Sequence, residues 1–126
     1  MSRDQDLLLD IIPAADDIQA FCASVDLASF RRNKTTRYAI LHAVTIIGEA
    51  ANQVSDSVQK ENPHIPWRRI IAFRHRVVHG YGELDLELAW QVASVLVPQL
   101  RGEIVGLQEA LQAGCDDLSP SPTPAI

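Results

Sequence analysis

The spacing of apolar residues constrains the fold of this chain more than any other feature. From Asp4 to Ser24, leucine, isoleucine and other apolar residues recur at steps of three and four, as on the buried stripe of an amphipathic helix. The same spacing returns from Lys34 to Lys60, from Pro66 to His79 and from Leu84 to about Ala113, and no segment alternates with the two-residue period of a strand. We therefore predict an all-α protein.

Prolines, glycines and one aspartate mark the ends of these predicted helices. Pro63 and Pro66 separate the second helix from the third, because proline lacks the N–H group that a helix interior needs. Gly80 and Gly82 predict a left-handed stop after the third helix. Asp85 predicts the N-cap of the fourth, where its carboxylate can accept hydrogen bonds from free N–H groups.

Two further prolines and one connection complete the architecture. Pro13 interrupts the first helix, which predicts a kink or a new start, and Pro98 predicts that the fourth helix is bent or split in two. Residues 26–33 predict a connection with a short helical turn at Leu27 to Phe30. Short connections between four main helices predict an antiparallel bundle of four to five helices. Apolar residues on several faces of the fourth helix leave surface for a partner, which favours a symmetric dimer.

Composition is that of an ordinary globular domain. The chain has 126 residues, of which 47% are hydrophobic and 21% charged. We assign residues 1–114 to one helical domain and residues 115–126, rich in serine, proline and aspartate, to a disordered tail. The N-terminus lacks a secretory signal, no apolar run approaches the ~18 residues that span a bilayer, and the two cysteines have no metal-ligand spacing. We therefore expect a soluble cytoplasmic protein without membrane association.

The charges are unevenly distributed along the chain. A net charge of -5 argues against a broadly basic coat for nucleic acid. Two stretches nevertheless carry no acid, residues 27–48 and residues 62–82, and their cations are Arg31, Arg32, Lys34, Arg37, Arg68, Arg69, Arg74 and Arg76. If both stretches face one side, they form a local surface for phosphate. For Arg31, Arg32 and Arg69 individually we favour solvated arginines on helix faces.

Residues 73–81 concentrate the reactive side chains of the sequence. Arg74 offers a permanent cation with a planar fork of donors that suits phosphate. His79 can donate or accept a proton near neutral pH. Tyr81 adds a phenol that can accept a modification. These residue types suit a phosphodiester site.

The spacing within this stretch restricts how the side chains can work together. Arg74 and His79 are five residues apart and therefore lie about 140° from one another on a regular helix. Either the helix ends before His79, or the arginine side chain bends round, or the working pair comes from two chains. His75 and His79 lie one turn apart and share a face, but no third ligand has a suitable spacing, so we predict no metal site and no cofactor.

The order Arg74, four residues, His79, one residue and Tyr81 resembles the Arg-x4-His-x-Tyr signature of the HepT-like proteins, a branch of the HEPN superfamily. The sequence around it is similar too, from Trp67 before the motif to Trp90 after it, and residues 38–52 resemble the second helix of these proteins. The resemblance covers roughly residues 3–112. Family members most often carry Asn directly after the motif arginine, where this chain has His75.

The resemblance implies a metal-independent endoribonuclease toxin of a toxin–antitoxin pair. His79 would act as general acid or base, and Arg74 would bind the scissile phosphate. The RNA backbone would be bound by Arg68, His75 and Arg76. The family also implies a homodimer, in which two copies of the motif meet in a cleft, and an MntA-like nucleotidyltransferase antitoxin that transfers AMP to Tyr81.

Two readings of other classes stay open from the sequence. The chain could be a non-catalytic subunit that presents substrate or nucleotide to a nucleotidyltransferase. It could also be a plain dimeric bundle, with His79 as a helix-terminal histidine, Arg74 in an ion pair and Tyr81 as an aromatic at the edge of the core. The joint occurrence of the three residues at the family spacing favours the ribonuclease. We interpret Trp67 and Trp90 as core or interface residues, and His42 and His64 as structural or solvated.

Overall fold

A computed structural model describes the backbone of residues 3–118 and the side chains of residues 3–114. Its α-helices are α1 (Arg3–Cys22), α2 (Leu27–Arg32), α3 (Lys34–Gln53), α4 (Asp56–Glu61), α5 (Trp67–His79), α6 (Leu86–Gln91) and α7 (Val97–Leu118). A 3₁₀ turn, Tyr81–Glu83, follows α5, and a π-helical turn, Val92–Leu96, joins α6 to α7. The described residues contain no strand, and the all-α prediction is confirmed.

The long helices form an antiparallel bundle in which α1 lies between α3 and α7, and α5 packs on α3. The chain directions follow from three hydrogen bonds between distant residues. Asp4 near the start of α1 bonds to Ser55 just beyond α3. Gln5 of α1 donates a hydrogen bond to Gln112 late in α7. Arg37 early in α3 donates one to the Tyr81 hydroxyl beyond α5. The predicted bundle is therefore confirmed, and the dimer stays a prediction.

One apolar core holds the helices together. Each long helix contributes a stripe of fully buried side chains at the predicted three- and four-residue spacing, including Leu8, Ile11, Ile18, Ile40, Val44, Ile47, Ile70, Leu100 and Ile104. The short α2 adds Phe30, which is fully buried with its ring 5.4 Å from that of Trp90. Burial of a side chain of this size stabilises the fold by about 1.5–3 kcal/mol. The core thereby fixes α5, which carries Arg74 and His79, relative to α3.

The predicted end of the second helix, at about Lys60, is wrong. The helix divides into α3 and α4, because Val54 adopts an extended conformation and Ser55 caps the next helix. The Asp4 carboxylate stabilises this break, since it accepts hydrogen bonds from the Ser55 N–H at 2.8 Å and from the Ser55 hydroxyl at 2.7 Å. Neither proline nor glycine marks the break in the sequence, and its cause is a contact with residue 4 that local spacing cannot reveal.

The predicted left-handed stop after α5 is also wrong. Gly80 has φ -141°, and no described residue has positive φ. The Gly80 N–H instead donates to the Arg76 carbonyl at 2.8 Å, so the chain leaves α5 through one more hydrogen-bonded turn. Asp85 caps α6 as predicted, with Oδ1 accepting from the N–H groups of Glu87 and Leu88 at 3.0 and 3.2 Å.

The fourth predicted helix contains a π-helical turn before Pro98, and its backbone stays helical on both sides of that turn. The π-helical turn precedes the proline, and the wider turn accommodates a ring that cannot donate to the helix. Pro13, by contrast, lies within an unbroken α1. Helix α7 continues to Leu118, past the predicted end near Ala113, and the rest of the predicted tail, residues 119–126, lies outside the described residues. In the described part of the chain no helix is long and apolar enough to cross a membrane.

Candidate active site

Helix α5 carries the motif and is held firmly at its N-terminal end. Its buried face consists of Trp67, Ile70, Phe73 and Val77. The Trp67 indole N–H also donates to the Asn62 carbonyl at 3.0 Å, which ties the start of α5 to the preceding turn. Trp67 is therefore a core residue, as predicted. Among the remaining α5 residues, Arg69, Ala72 and Arg76 line a groove with residues of α6 and the π-helical turn.

Arg74 packs against α3 at a position where α3 has no side chain. A Cβ atom built on Gly48 would lie 2.3 Å from the Arg74 Cβ and 3.1 Å from the Ile70 carbonyl oxygen. Real Cβ contacts essentially never come closer than 3.0 Å, so only glycine permits this approach of the two helices. The sequence analysis included Gly48 only within residues 38–52, which resemble the second helix of the family, and gave it no role of its own. A lone glycine within an apolar helical pattern is the sequence signal that could have indicated this close helix packing.

The Arg74 guanidinium turns toward α3 rather than along α5. Its Nη2 lies 2.9 Å from Oε2 of Glu49, and both side chains are partly exposed. Its Nε is buried and has no hydrogen-bond partner among the described residues. The cation is thus held by one carboxylate oxygen, and its donor capacity is only partly used. Because the pair is half solvated, we attribute less than about 1 kcal/mol of stability to it.

His79 lies on a different side of α5 from Arg74. The helix stays regular through His79, which is its last residue, so the alternative that the helix ends before His79 is wrong. The His79 ring is exposed and contacts the His75 ring at a centroid distance of 4.4 Å. The arginine bends toward Glu49 and away from this histidine pair. One chain therefore does not unite the two predicted catalytic side chains.

Tyr81 is the third motif residue and lies in the 3₁₀ turn beyond α5. Its side chain packs at the edge of the core, with its ring edge-on to that of Tyr38 at 5.3 Å. Its hydroxyl oxygen accepts a hydrogen bond from Nε of Arg37 at 3.2 Å. In the sequence Arg37 was only one cation of a basic stretch, and no local pattern connected it with residue 81.

The predicted phosphate-binding residues Arg68, His75 and Arg76 are exposed on the outer face of α5. Neither arginine is in an ion pair with any described residue, and the acid-free stretch of the sequence becomes an unneutralised helix face. In the other acid-free stretch, Arg31 lies 3.8 Å from Glu87. Arg32 and Lys34 of that stretch are exposed and, among the described residues, are in no ion pair, so both stretches contribute exposed cations.

Two adjoining grooves flank α3 and α5. The larger, of about 630 Å³, is lined by Arg74 and by the carboxylates of Asp10, Asp17 and Glu49, with Ile46 and Val78 among its apolar residues. The smaller, of about 290 Å³, is lined by Tyr38, Leu41, His42, Thr45, Val77 and Tyr81. Thr45 lines both grooves. The larger groove is lined by three acidic residues and one arginine, so its net negative charge disfavours phosphate in a single copy of the chain.

Of the remaining candidate residues, His42 lines the smaller groove, and Trp90 and His64 line neither groove. Trp90 is partly buried against Phe30, whereas His42 and His64 are exposed. Among the described residues, no group of three or more histidine, cysteine, aspartate or glutamate side chains is arranged to hold a metal ion.

Comparison with known proteins identifies the family. The family model described as "Ribonuclease HepT-like" matches residues 11–105. Over 97 residues the chain is 32% identical to "Putative RNase MJ1380" of Methanocaldococcus jannaschii, which covers 77% of this chain and 89% of that protein. Over 105 residues it is 30% identical to "Probable ribonuclease HepT" of Thermococcus cleftensis, which covers 83% of this chain and 96% of that protein. No solved structure matches the chain. The predicted enzyme class, an endoribonuclease, agrees with these names, and the chain belongs to the ribonuclease HepT-like family.

Proposed function

We propose that this chain is a metal-independent endoribonuclease toxin that acts in the cytoplasm and is neutralised by an MntA-like nucleotidyltransferase antitoxin. The observation that carries the proposal is the spacing of Arg74, His79 and Tyr81 in a member of the ribonuclease HepT-like family. The names of the relatives, which describe ribonucleases, support RNA as the substrate.

His79 is the proposed general acid or base. In the reaction the RNA 2′-hydroxyl attacks the adjacent phosphorus, a 2′,3′-cyclic phosphate forms, and the 5′-oxygen of the next nucleotide leaves. The attacking group belongs to the substrate, so the reaction requires no metal-activated water. His79 is exposed and free to take the proton from the 2′-hydroxyl or to give one to the leaving oxygen. General acid–base catalysis of this kind typically contributes ~10²–10⁴-fold.

Arg74 is the proposed ligand of the scissile phosphate. Negative charge increases on the phosphate oxygens in the transition state, and a positioned donor to such an oxygen contributes about 3–4 kcal/mol. The packing against Gly48 fixes the start of the side chain, and Glu49 holds the guanidinium. Since Glu49 occupies one edge of the cation, the substrate phosphate must share Arg74 with it or displace it.

The arginine and histidine of each catalytic site are proposed to come from two different chains. Arg74 of one copy and His79 of its partner would meet across a symmetric interface, which resolves the separation of the two side chains within one copy. The face beside Arg74 carries the exposed apolar side chains of Tyr38, Ile46 and Val78, which are 47%, 42% and 49% exposed. Exposed apolar groups and carboxylates suit a protein partner better than RNA. This face therefore supports contact with a second copy.

RNA is proposed to bind along the outer face of α5. Arg68, His75 and His79 lie at helical steps of seven and four residues and therefore share one stripe, with Arg76 on the adjacent stripe. The distance along the helix from residue 68 to residue 79 is about 16 Å at ~1.5 Å per residue. That length can serve several phosphates, and binding should weaken as salt concentration rises.

Adenylylation of Tyr81 is the proposed means of neutralisation. The Tyr81 oxygen would attack the α-phosphorus of ATP bound to the antitoxin. The bond between the α-phosphorus and the oxygen that bridges it to the β-phosphate breaks, and pyrophosphate leaves. The phenolic proton passes to a base of the antitoxin or to water. The product carries a bulky anion two residues from His79, which should exclude RNA phosphate by charge and by volume.

A non-catalytic binding subunit is the second candidate, because Arg74 and His79 are separated within one chain. Induction of the parent chain in a bacterial host, beside Arg74→Ala and His79→Ala, distinguishes the two. The ribonuclease predicts growth arrest and new RNA ends with 2′,3′-cyclic phosphate in the parent and in a control variant outside the motif, and neither effect in Arg74→Ala or His79→Ala. His64→Ala is the matched control, since His64 is exposed and lies outside the motif. Equal growth and intact RNA with all four folded proteins would contradict the ribonuclease and support the binding subunit.

A further inference from the structure

Arg37 is the only described residue that donates a hydrogen bond to the Tyr81 hydroxyl. It lies near the start of α3, which is remote from residue 81 in the sequence, and both side chains are partly buried. The contact joins Arg37 Nε to the Tyr81 oxygen at 3.2 Å. An arginine is thus directed at the one atom of Tyr81 that can be modified.

The Arg37 guanidinium is held in place on its other side. Its Nη1 donates to two carbonyl oxygens in the last turns of α2, that of Phe30 at 3.1 Å and that of Arg31 at 2.7 Å. Those carbonyls are partly free at the end of a short helix, where a cation is favourable. Because three hydrogen bonds fix the planar group, little side-chain entropy remains to be lost when it binds an anion.

One nitrogen of this guanidinium is unused as a donor. Nη2 makes no hydrogen bond to any described residue, and it shares an edge of the planar group with Nε, which faces Tyr81. Nε and Nη2 of an arginine form a fork that matches two oxygens of a phosphate. In the unmodified protein this fork meets a single phenolic oxygen and is only half satisfied. Tyr81 also lines the groove of about 290 Å³.

We propose that Arg37 is a positioning residue that binds a phosphoryl group attached to the Tyr81 oxygen. The class of ligand is an aryl phosphate ester, of which the AMP ester of tyrosine is the case required by the proposed function. The relation to neutralisation rests on that proposed function, whereas recognition of the phosphate by Arg37 does not. In this arrangement the modified tyrosine is held by two charge-assisted hydrogen bonds.

The experiment places phosphotyrosine at position 81 of the full chain by codon suppression, so neither an antitoxin nor ribonuclease activity is needed. Phosphorus NMR then follows the titration of the phosphate in the parent, Arg37→Lys and Arg37→Gln. The Arg37 cation should lower the second pKa of this phosphate by about one unit relative to Arg37→Gln, with Arg37→Lys in between. Arg32→Gln is the matched control, because Arg32 is an exposed arginine of the same region without a contact to Tyr81.

A second measurement avoids any substitution of Arg37, which also caps α2 and whose loss could unfold the chain. The Nε–H signal of Arg37 is followed by nitrogen-edited NMR in the unmodified and phosphotyrosine proteins. The proposal requires this signal to move on modification and to titrate with the pKa of the phosphate. An Nε–H signal that does not respond, or a phosphate pKa identical in the parent and Arg37→Gln, would overturn it. Neither result bears on RNA cleavage, so the two proposals can fail separately.

Discussion

Substitution of Gly48 by alanine tests the packing on which the position of Arg74 depends. The added Cβ would lie 2.3 Å from the Arg74 Cβ, whereas ordinary contact begins at 3.4 Å, so the two atoms must separate by 3.4 - 2.3 = 1.1 Å. The Arg74 Cβ is bonded directly to the backbone of α5, and the Ile70 carbonyl oxygen is itself a backbone atom. No flexible chain end can yield, and α3 and α5 must therefore move apart.

The expected cost of Gly48→Ala is the difference between two effects. Overpacking of this kind destabilises by ~1–3 kcal/mol, and the severe contact favours the upper value. Alanine in place of a helical glycine returns about 1 kcal/mol through helix propensity. We expect a net loss of about 2 kcal/mol, which corresponds to a fall in Tm of about 8 °C for a domain of this size.

The matched control is Gly106→Ala. Gly106 lies in α7, is exposed, and would present a Cβ with nothing within 4 Å. Only the propensity effect remains, so this variant should gain ~0.5–1 kcal/mol and melt a few degrees higher. Thermal and urea unfolding of both variants give the comparison. Since a shift of about 1 Å in a catalytic group can reduce the rate ~10²-fold, Gly48→Ala should also lose RNA cleavage at a temperature where it is folded. A Gly48→Ala protein that gains stability as Gly106→Ala does would refute this account of the α3–α5 contact.

Three further predictions concern single carboxylates. Glu49→Gln should change stability by less than about 1 kcal/mol, yet tighten RNA binding in a titration at low salt, because it frees the motif arginine for phosphate. Asp4→Ala should cost about 1–2 kcal/mol in urea unfolding, because both Asp4 bonds to Ser55 are lost. The backbone hydrogen bond from Ser29 lowers the pKa of Asp26, so the cap that it provides to α2 is fully present above the unfolded carboxyl pKa and is lost as pH falls through the lower folded value. Carbon NMR of the Asp26 carboxyl should show that depressed pKa, and Asp26→Asn should remove this part of the acid sensitivity.

The spacing of residues predicted those helix ends that are fixed by neighbouring residues in the sequence. Asp85 caps α6 through its own next turn, and Pro98 directly follows a π-helical turn, as its missing N–H suits. The end of α3 could not be predicted in this way, because Asp4 stabilises the break at Ser55 from the other side of the bundle. Gly80 misled the interpretation, because a glycine after a helix permits the left-handed conformation without requiring it.

The positions of the motif residues in the fold were predictable to the same limit, and their roles stay predictions. The motif spacing gave Arg74, His79 and Tyr81, because those residues follow one another on α5 and the turn beyond it. Their partners, Glu49 and Arg37, lie on α3 and are brought in by helix packing. The sequence left open how the arginine and histidine could act together, and the regular end of α5 removes one of its three alternatives.

The most direct test of the proposed two-chain site is to mix two inactive variants. Arg74→Ala and His79→Ala are produced together with different tags, and the mixed dimer is isolated and assayed for RNA cleavage in parallel with each variant alone. If Arg74 of one copy works with His79 of the other, each mixed dimer keeps one complete site and should show about half the activity of the parent dimer. Each single variant should stay inactive. The two-chain site would be contradicted if the mixed dimer were as inactive as each single variant while the unsubstituted dimer cleaves RNA.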